Sequence, residues 1–398
     1  MKITIPYSGY WPYVRRGVER YLHDLTTFLA ARGHQVHVIT STPGRSREAW
    51  DGGVRVTYLS QANHPLMYGY AYWVRAYIWA AVATRRLIED RPDLIYLWTY
   101  SGIGWPRLFQ DHFQLRYLYH VSVYWPRGAG RKMFPELTRA ERVLALSQGA
   151  ARDIEQEFKV SCDVLPPPVN MRTFRPSAPR NKTNPIVFFG ADLSDPRKGG
   201  KLLLRAWNRV HRLRPTARLV LGGPPGVAGW LQDQNGEALP SQLHLVRDPA
   251  ARAAIEVRGP GRLSDLPSWY SEASVTVLPS IWEMFGMVLT ESLACGTPVV
   301  ASRHHGPGEI IGDPGIGVTV DLKENADLES GEKANELADA ILQGIELGSR
   351  PGTDARCREW ANQWSLDRIG PLAEQFFEQA ASRGAGDERG ARPFAAAS

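Results

Sequence analysis

The 398-residue sequence contains few cysteines, and they form no recognisable pattern. Its three cysteines are odd in number and lack the spacing of metal ligands; they are Cys162, Cys295 and Cys357. We therefore expect neither a disulfide framework nor a zinc site, and no bound metal. Low cysteine usage without pairing is typical of a reducing compartment, so we expect a cytoplasmic protein.

Long apolar runs are also missing. The longest aromatic and apolar run, residues 68–83, is interrupted by Arg75, whereas a membrane-spanning helix needs about 20 apolar residues. The first residues contain no positively charged segment followed by an apolar one. We therefore expect no transmembrane helix and no secretory signal peptide.

Two phosphate-binding signatures are absent as well. No Asp-x-Asp stands at the end of a predicted strand, which argues against a phosphate site bridged by a metal ion. The loop between the first predicted strand and helix contains Gly9 and Gly17 but no G-x-G-x-x-G pattern. A standard dinucleotide-binding loop is therefore not predicted there.

The composition is that of an ordinary globular protein with room for two domains, since 43% of residues are hydrophobic and 22% are charged. The formal net charge of +6 is modest for this length. It suits an anionic substrate or peripheral attachment to an anionic membrane surface, or it reflects solvated arginines. We expect no nucleic-acid partner.

Strand and helix patterns alternate from the start of the chain. Residues 2–7 predict a strand, residues 17–32 an amphipathic helix and residues 35–40 a second strand, which together indicate a parallel, doubly wound α/β sheet. Further strands are predicted at residues 54–59, 93–97, 116–121, 142–146 and 162–165. We predict a first domain at 1–176, a linker at 177–185, a second domain at 186–364, a last helix at 365–382 and a disordered tail at 383–398.

Two carboxylates lie eight positions apart where a predicted strand leads into a helix. Glu283 falls in the loop and Glu291 in the first two turns of the helix, so both could face one ligand. The backbone N–H groups of Phe285, Gly286 and Met287 would form an anion site at the helix start. The alternative is that Glu283 caps the helix and Glu291 is merely solvated.

This Glu-x7-Glu pattern is followed by Ala-Cys-Gly-Thr-Pro-Val-Val-Ala-Ser at residues 294–302. The combination resembles the retaining GT-B glycosyltransferases of family 4. The resemblance implies two Rossmann-like domains facing a central cleft, a nucleotide-diphosphate sugar as donor, and a glycan or lipid-linked acceptor. It extends over the chain to about residue 380 and is more specific in the second half.

The resemblance also implies roles for second-domain residues. Glu291 would hold the ribose hydroxyls of the donor, and Glu283 the hydroxyls of the donor sugar near its anomeric carbon. Arg197 and Lys198, at a glycine-rich helix entry, would supply positive charge to the leaving diphosphate. The sequence departs from the family at Ala191, where many relatives have an arginine.

Three further positions are candidates at the ends of predicted strands. Gly17 would let the backbone approach the donor phosphate or the acceptor, unless it is an ordinary turn glycine. His120 would position the donor sugar, with a near-neutral pKa suited to proton handling, unless it is structural. Gly222 lies where a nucleotide base or ribose could rest.

Several other segments have less specific interpretations. The aromatic stretch at residues 68–79 would stack sugar rings, lie at a lipid interface or form a core helix. His304 and His305 are interpreted as solvent-facing or interdomain residues, and Gly306 and Glu309 as packing and capping residues. Ser365 is predicted to cap a last helix that, in relatives, crosses back to the first domain.

The sequence thus predicts a retaining, metal-independent and cofactor-free hexosyltransferase of bacterial-type cell-surface polysaccharide or glycoconjugate synthesis. Its expected catalytic residues are Glu283, His120 and Lys198. Two alternatives stay open: a nucleotide-sugar epimerase of the same fold, and a non-catalytic sugar-nucleotide-binding subunit.

Overall fold

A computed structural model describes residues 1–10, 17–42, 44–60, 70–98, 115–122, 137–181, 183–193, 195–223, 242–322 and 331–382. The predicted tail at 383–398 lies outside these residues, as does most of the loop between the first strand and the first helix. Of the aromatic stretch, the structure places the side chain of Trp79, which is buried.

The first sheet has eight strands in the order β3-β4-β2-β1-β5-β6-β7-β8. All neighbours are parallel except β3 and β4, which are antiparallel. The edge strand β3 was not predicted, because its side chains are mostly exposed and show no buried alternation. The strands are β1 (Lys2–Pro6), β2 (Gln35–Thr42), β3 (Arg47–Asp51), β4 (Val54–Ser60), β5 (Leu94–Trp98), β6 (Tyr117–Val121), β7 (Arg142–Ala145) and β8 (Cys162–Val164).

Among the described residues of the first domain, the helices on the first sheet are α1 (Gly17–Ala31), α2 (Tyr70–Asp90) and α3 (Gln148–Phe158). On the apolar face of α1, Leu22, Leu25 and Leu29 are fully buried in the core, while Val18 and Phe28 are partly buried against it. Helix α3 begins with a side-chain cap, since the Oγ of Ser147 accepts a hydrogen bond from the backbone N–H of Ala150 at 3.2 Å.

The second sheet has six parallel strands in the order β11-β10-β9-β12-β13-β14. Its strands are β9 (Ile186–Phe189), β10 (Arg218–Gly223), β11 (Ile255–Pro260), β12 (Val275–Leu278), β13 (Val299–Ser302) and β14 (Gly317–Val320). The helices that accompany it are α4 (Gly200–Leu213), α5 (Pro249–Ala253), α6 (Leu266–Glu272), α7 (Met287–Ala294), α8 (His305–Ile310), α9 (Gly331–Ser349) and α10 (Thr353–Ala361). The α/β prediction with two parallel sheets is confirmed.

The segment between the sheets is held by backbone and arginine contacts. Val169 forms an isolated parallel bridge with Ser365, at the point where the last helix begins. The guanidinium of Arg180, in the predicted linker, donates to the backbone oxygens of Ala273 at 2.7 Å, Gly348 at 2.9 Å and Gly296 at 2.8 Å. These hydrogen bonds attach the predicted linker to the second domain.

The last helix, α11 (Leu366–Ser382), packs on α1 and on the first sheet. The ring of Phe377 lies 4.8 Å from that of Tyr96, and Gly370 leaves space for Phe28. Ser365 directly precedes this helix, but its Oγ has no hydrogen-bond partner. The predicted side-chain cap is therefore wrong; Ser365 contributes its backbone oxygen, which accepts from Arg368 and Ile369.

Within the described ranges, no helix is both long and apolar enough to cross a membrane.

Asp90, the last residue of α2, ties that helix to the first sheet. Its buried carboxylate accepts hydrogen bonds from His37 at 3.0 Å and from Thr4, and forms ion pairs with Lys2 and Arg55. Burial by itself would raise the pKa of Asp90, but the hydrogen bonds from His37 and Thr4 outweigh it and hold that pKa well below its usual range.

We expect the substitution Asp90→Asn to lower the free energy of unfolding at neutral pH by about 2–4 kcal/mol, because it leaves buried donors and cations without their anion. Because the folded-state pKa is depressed, this stabilisation is complete above the unfolded pKa of about 3.9 and declines as the pH falls below it. Urea unfolding at about pH 7 and about pH 3 measures both effects.

The neighbouring exposed substitution Glu89→Gln is the control, since it removes only surface ion pairs with Arg85 and Arg86. A stability difference between wild type and Asp90→Asn that stays the same at both pH values would contradict this interpretation.

Candidate active site

Two loops meet at the carboxyl ends of β9 and β12, where open parallel sheets bind ligands. A short 3-10 helix, Pro196–Lys198, follows β9, and the backbone oxygen of Arg197 accepts a hydrogen bond from Ile281 at 2.9 Å. Gly199 has a φ of +72°, and a Cβ there would lie 2.0 Å from the backbone oxygen of Pro279. Glycine is therefore required at position 199 for the two loops to approach.

This approach joins Lys198 and Glu283, two of the predicted catalytic residues. The Nζ of Lys198 lies 2.5 Å from the Oε2 of Glu283, and the two side chains are 26% and 15% exposed. The pair is thus partly accessible to a ligand. The alternative that Glu283 caps α7 does not hold, because the cap residue is Gly286 and no side chain bonds there.

Arg197 is paired locally. Its guanidinium donates to both carboxylate oxygens of Asp195, with Nε to Oδ1 at 3.0 Å and Nη2 to Oδ2 at 2.7 Å. Burial raises the pKa of Asp195, but Arg197 more than offsets it, so the net pKa is lowered and the pair is ionised. The charge that Arg197 could offer to a diphosphate is therefore shared with Asp195.

Ala191, the position where many relatives have an arginine, is buried.

The start of α7 is held between neighbouring elements. The helix begins at Met287, and its cap residue, Gly286, has a φ of 95°. A Cβ on Gly306 of α8 would lie 2.2 Å from the Cα of Phe285, so glycine there lets α8 pack on this loop. Gly17, the first residue of α1 in the first domain, also lies close to this loop: a Cβ on Gly17 would be 3.2 Å from the Sδ of Met287.

Glu291 is only 2% exposed, so the alternative that it is merely solvated is wrong. Its contact with the ribose of a donor stays a prediction. Its Oε1 is ion-paired with Arg20 of α1, and its Oε2 accepts a hydrogen bond from the hydroxyl of Tyr270 at 2.9 Å. Burial raises the pKa of Glu291, and Arg20 and Tyr270 oppose that rise.

Arg20 and Tyr270 were missed by sequence reasoning. Arg20 sits in the first turn of α1 with a side chain only 7% exposed, and it crosses from one sheet's layer to the other. The only local signal is a charged residue within an otherwise apolar helix face. Nothing in the local sequence pairs it with a glutamate of the second domain.

His120 lies at the end of β6, as predicted, but it is fully buried. Its Nδ1 is 2.6 Å from the hydroxyl of Tyr96, and its ring centroid is 4.4 Å from that of Trp98. Burial lowers the pKa of His120 to about 3. The imidazole is therefore neutral at pH 7, and the expected near-neutral pKa is wrong.

Gly222 has a packing role in the structure. A Cβ there would lie 2.7 Å from Trp269, and a Cβ on Gly261 would lie 2.4 Å from the same indole. Both glycines therefore make room for Trp269, which also stacks near Arg258 at 5.5 Å. Contact between Gly222 and a base or ribose stays a prediction.

A second set of contacts joins the two layers through α8 and α3. Glu309 accepts hydrogen bonds from the backbone N–H groups of Gln148 at 3.0 Å and Gly149 at 2.6 Å, so it caps a helix of the other domain. The Nε2 of His305 lies 2.6 Å from the Oδ2 of Asp153. The interpretations of Glu309 as a capping residue and of His305 as an interdomain residue are therefore confirmed. At the adjacent His304, burial lowers the pKa to about 4.

Among the side chains that the structure places, one group of three could hold a metal ion: His34, Glu374 and Glu378. It involves α11 and not the loops that carry Lys198 and Glu283. His34 and Glu374 already pair with each other at 2.8 Å, and Arg32 lies on the same carboxylate. The cluster is explained by packing of α11 on the first domain.

Two family models match consecutive parts of the chain. The model described as Glycosyltransferase Family 4 matches residues 15–173, and the model described as Glycosyl transferases group 1 matches residues 170–350. The first therefore covers the first sheet and its helices, and the second covers the loops that carry Lys198, Glu283 and Glu291.

Curated relatives have the same character. The D-inositol 3-phosphate glycosyltransferase of Paenarthrobacter aurescens is 28% identical over 236 residues, covering 56% of this chain and 54% of that protein. The protein of the same name from Kineococcus radiotolerans is 27% identical over 343 residues, covering 76% of each chain. The aligned region spans about half the length of the first relative.

Solved structures share the fold over nearly the whole chain. Sucrose-phosphate synthase from Thermosynechococcus elongatus has a TM-score of 0.75 at 22% identity, covering 95% of this chain and 98% of that one. Anabaena HepE in complex with UDP and glucose has a TM-score of 0.68 at 16% identity, covering 95% and 99%. With both family models matched in order on two parallel α/β sheets, the chain belongs to the GT-B glycosyltransferases of family 4, described as glycosyl transferases group 1.

Proposed function

We propose that the chain is a retaining, metal-independent glycosyltransferase that moves a hexose from a nucleotide-diphosphate sugar to a glycan or lipid-linked acceptor. The observation that carries the proposal is the ion pair of Lys198 and Glu283, partly exposed at the carboxyl ends of β9 and β12. Family membership supports a nucleotide-sugar donor, as do the structurally similar Anabaena HepE complexes with UDP and glucose and with UDP-glucose.

The diphosphate would bind between Lys198 and the start of α7. Backbone N–H groups and the helix dipole favour an anion at a helix N-terminus, and no side chain caps α7. A bound diphosphate would replace Glu283 as the ion-pair partner of the Lys198 Nζ. That exchange frees Glu283 to accept hydrogen bonds from the donor-sugar hydroxyls, so donor binding itself would prepare the site.

Glu283 would also act on the transition state. A negative charge held near the anomeric carbon stabilises the positive charge that develops on the sugar ring. The departing phosphate would accept the proton of the attacking acceptor hydroxyl, on the face where the donor bond breaks, so the anomeric configuration is retained. Lys198 would stabilise the charge on the departing diphosphate.

His120 has a supporting role in this proposal. A neutral imidazole can accept or donate one hydrogen bond to a sugar but does not titrate near pH 7. We therefore propose that His120 shapes the sugar pocket together with Tyr96 and Trp98 and does not transfer a proton.

The acceptor is proposed from the family context. We propose a role in cell-surface polysaccharide or glycoconjugate synthesis, with the acceptor on the side of the first sheet. The relatives named D-inositol 3-phosphate glycosyltransferase favour testing a phosphorylated polyol acceptor as well.

Turnover with a chelator present tests the proposed reaction. Purified protein in chelator is incubated with UDP-, GDP- or ADP-sugars and with glycan, lipid-linked and sugar-phosphate acceptors, and release of nucleoside diphosphate is followed. We expect acceptor-dependent release that Lys198→Ala and Glu283→Gln each reduce by roughly 100-fold or more, because each removes a charge that acts in the transition state. Lys201→Ala, an exposed change on the next helix, is the matched control.

The products separate the alternatives. A retained anomeric configuration in the product NMR spectrum supports the proposal, whereas an inverted one contradicts it. Conversion of the donor to an epimer without acceptor would identify an epimerase. Donor binding without release in the presence of all three acceptor classes would favour a non-catalytic subunit.

Peripheral attachment to an anionic membrane surface is proposed as well, supported by the net charge of +6. We expect cosedimentation with phosphatidylserine-containing vesicles but not with phosphatidylcholine vesicles, and about tenfold weaker binding when salt is raised from about 50 to 300 mM. Binding that does not respond to vesicle charge or to salt would contradict electrostatic attachment.

A further inference from the structure

Arg20 lies where three parts of the molecule meet. It belongs to the first turn of α1 on the first sheet, and its Nη2 is ion-paired with the Oε1 of Glu291 on α7. Its guanidinium carbon lies 5.5 Å above the ring of Phe174, in the segment that leads from the first domain to the second. The side chain is more than nine-tenths buried.

The carboxylate of Glu291 is only partly used by these contacts. An ionised carboxylate has about four lone-pair positions. Arg20 approaches Oε1 and the Tyr270 hydroxyl donates to Oε2, each from a protein element packed against α7. Hydrogen-bonding capacity remains on both oxygens, which suits two adjacent hydroxyl groups such as those of a ribose.

We propose that Arg20 is a positioning residue of the donor site: it reaches across the two domains and fixes the Glu291 carboxylate so that it can accept the ribose hydroxyls of the nucleotide donor. This inference rests on the proposed function, in which Glu291 binds the ribose. It adds a charged side chain of the first domain to the nucleotide site.

The charges around Glu291 explain why an arginine is needed. Burial raises the pKa of Glu291, and Asp24, one turn after Arg20 on α1, raises it further. Arg20 and the Tyr270 hydroxyl oppose the rise, and Tyr270 itself stays protonated because burial and Glu291 raise its pKa well above its usual value. Directly after α7, Cys295 is a thiol whose pKa burial and Glu291 raise to about 12, so it carries no charge at pH 7.

Arg20 therefore opposes the rise in the pKa of Glu291 and favours the ionised carboxylate, which can accept hydrogen bonds from two hydroxyl groups. Without it, the raised pKa of Glu291 moves further upward, and the carboxyl is protonated over a wider range of low pH. A protonated carboxyl donates one hydrogen bond and accepts fewer. Donor affinity would then be lost at a higher pH than in the wild type.

The position of Arg20 also links donor binding to domain closure. The ion pair exists only while α1 and α7 are in contact. A donor that requires an oriented Glu291 binds more tightly while this contact is made, so donor binding would favour the contact by the same factor. Closure in turn excludes water from the donor and limits its hydrolysis.

The test uses Arg20→Gln, Arg20→Lys, Glu291→Gln and the double variant Arg20→Gln/Glu291→Gln. Arg32→Gln, which removes an exposed arginine just after α1, is the control. The probe is whichever of UDP-glucose, GDP-mannose and ADP-glucose the wild type binds. Kd is measured by calorimetry across pH 5 to 8, together with KM and kcat in turnover, and thermal unfolding monitors the fold.

We expect Arg20→Gln to raise donor Kd and KM by roughly tenfold with a smaller effect on kcat, and to move the low-pH loss of affinity to higher pH. Arg20→Lys should recover part of the affinity. In the Glu291→Gln background, Arg20→Gln should add little, because the two residues act as one unit. The double variant also avoids a buried unpaired carboxylate, so it keeps the test usable if Arg20→Gln alone unfolds.

Two failures are distinguishable. If the wild type binds no nucleotide sugar, or Glu291→Gln leaves donor Kd unchanged, the proposed donor site itself is wrong. If Glu291→Gln weakens donor binding but Arg20→Gln leaves Kd and its pH profile unchanged, or if the two effects are fully additive, the role of Arg20 is overturned and the donor site stands.

Discussion

The buried carboxylate of Glu291 is the interaction on which the rest of the site depends. Taking an ionised carboxylate out of water costs several kcal/mol unless partners replace its hydration, and losing one partner of such a pair costs about 3–5 kcal/mol. Here the partners are Arg20 from one domain and Tyr270 from the other. Their shared burial holds α1 and α7 together, and the ring of Phe174 packs against the same arginine.

Close backbone approach shapes the other half of the site. Gly199 allows the Lys198 loop to reach Pro279, and Gly306 allows α8 to reach Phe285. Each contact is too short for any side chain at the glycine. Together they place a cation, a carboxylate and a helix N-terminus on one edge of the second sheet, which is the arrangement that the proposed sugar transfer requires.

Features set by residues close together in the sequence could be predicted from it. The two parallel sheets follow from strand and helix periodicity, and Lys198 and Glu283 follow from loops at strand ends. Contacts between distant segments were not predictable: Arg20 with Glu291, and Glu309 with the start of α3, join residues that no local pattern relates. Burial was not predictable from the sequence either. The strand-end position of His120 was predicted correctly, but the lowering of its pKa by burial was not. Similarly, the sequence did not indicate that the guanidinium of Arg197 donates to the carboxylate of Asp195.

A crystal structure with the bound nucleoside diphosphate tests this account most directly. The account predicts that the ribose hydroxyls lie within hydrogen-bond distance of Glu291 while Arg20 stays on the same carboxylate. It also predicts that the Nζ of Lys198 leaves Glu283 for the diphosphate at the start of α7. A nucleotide bound elsewhere, or a ribose that displaces Arg20 from Glu291, would contradict it.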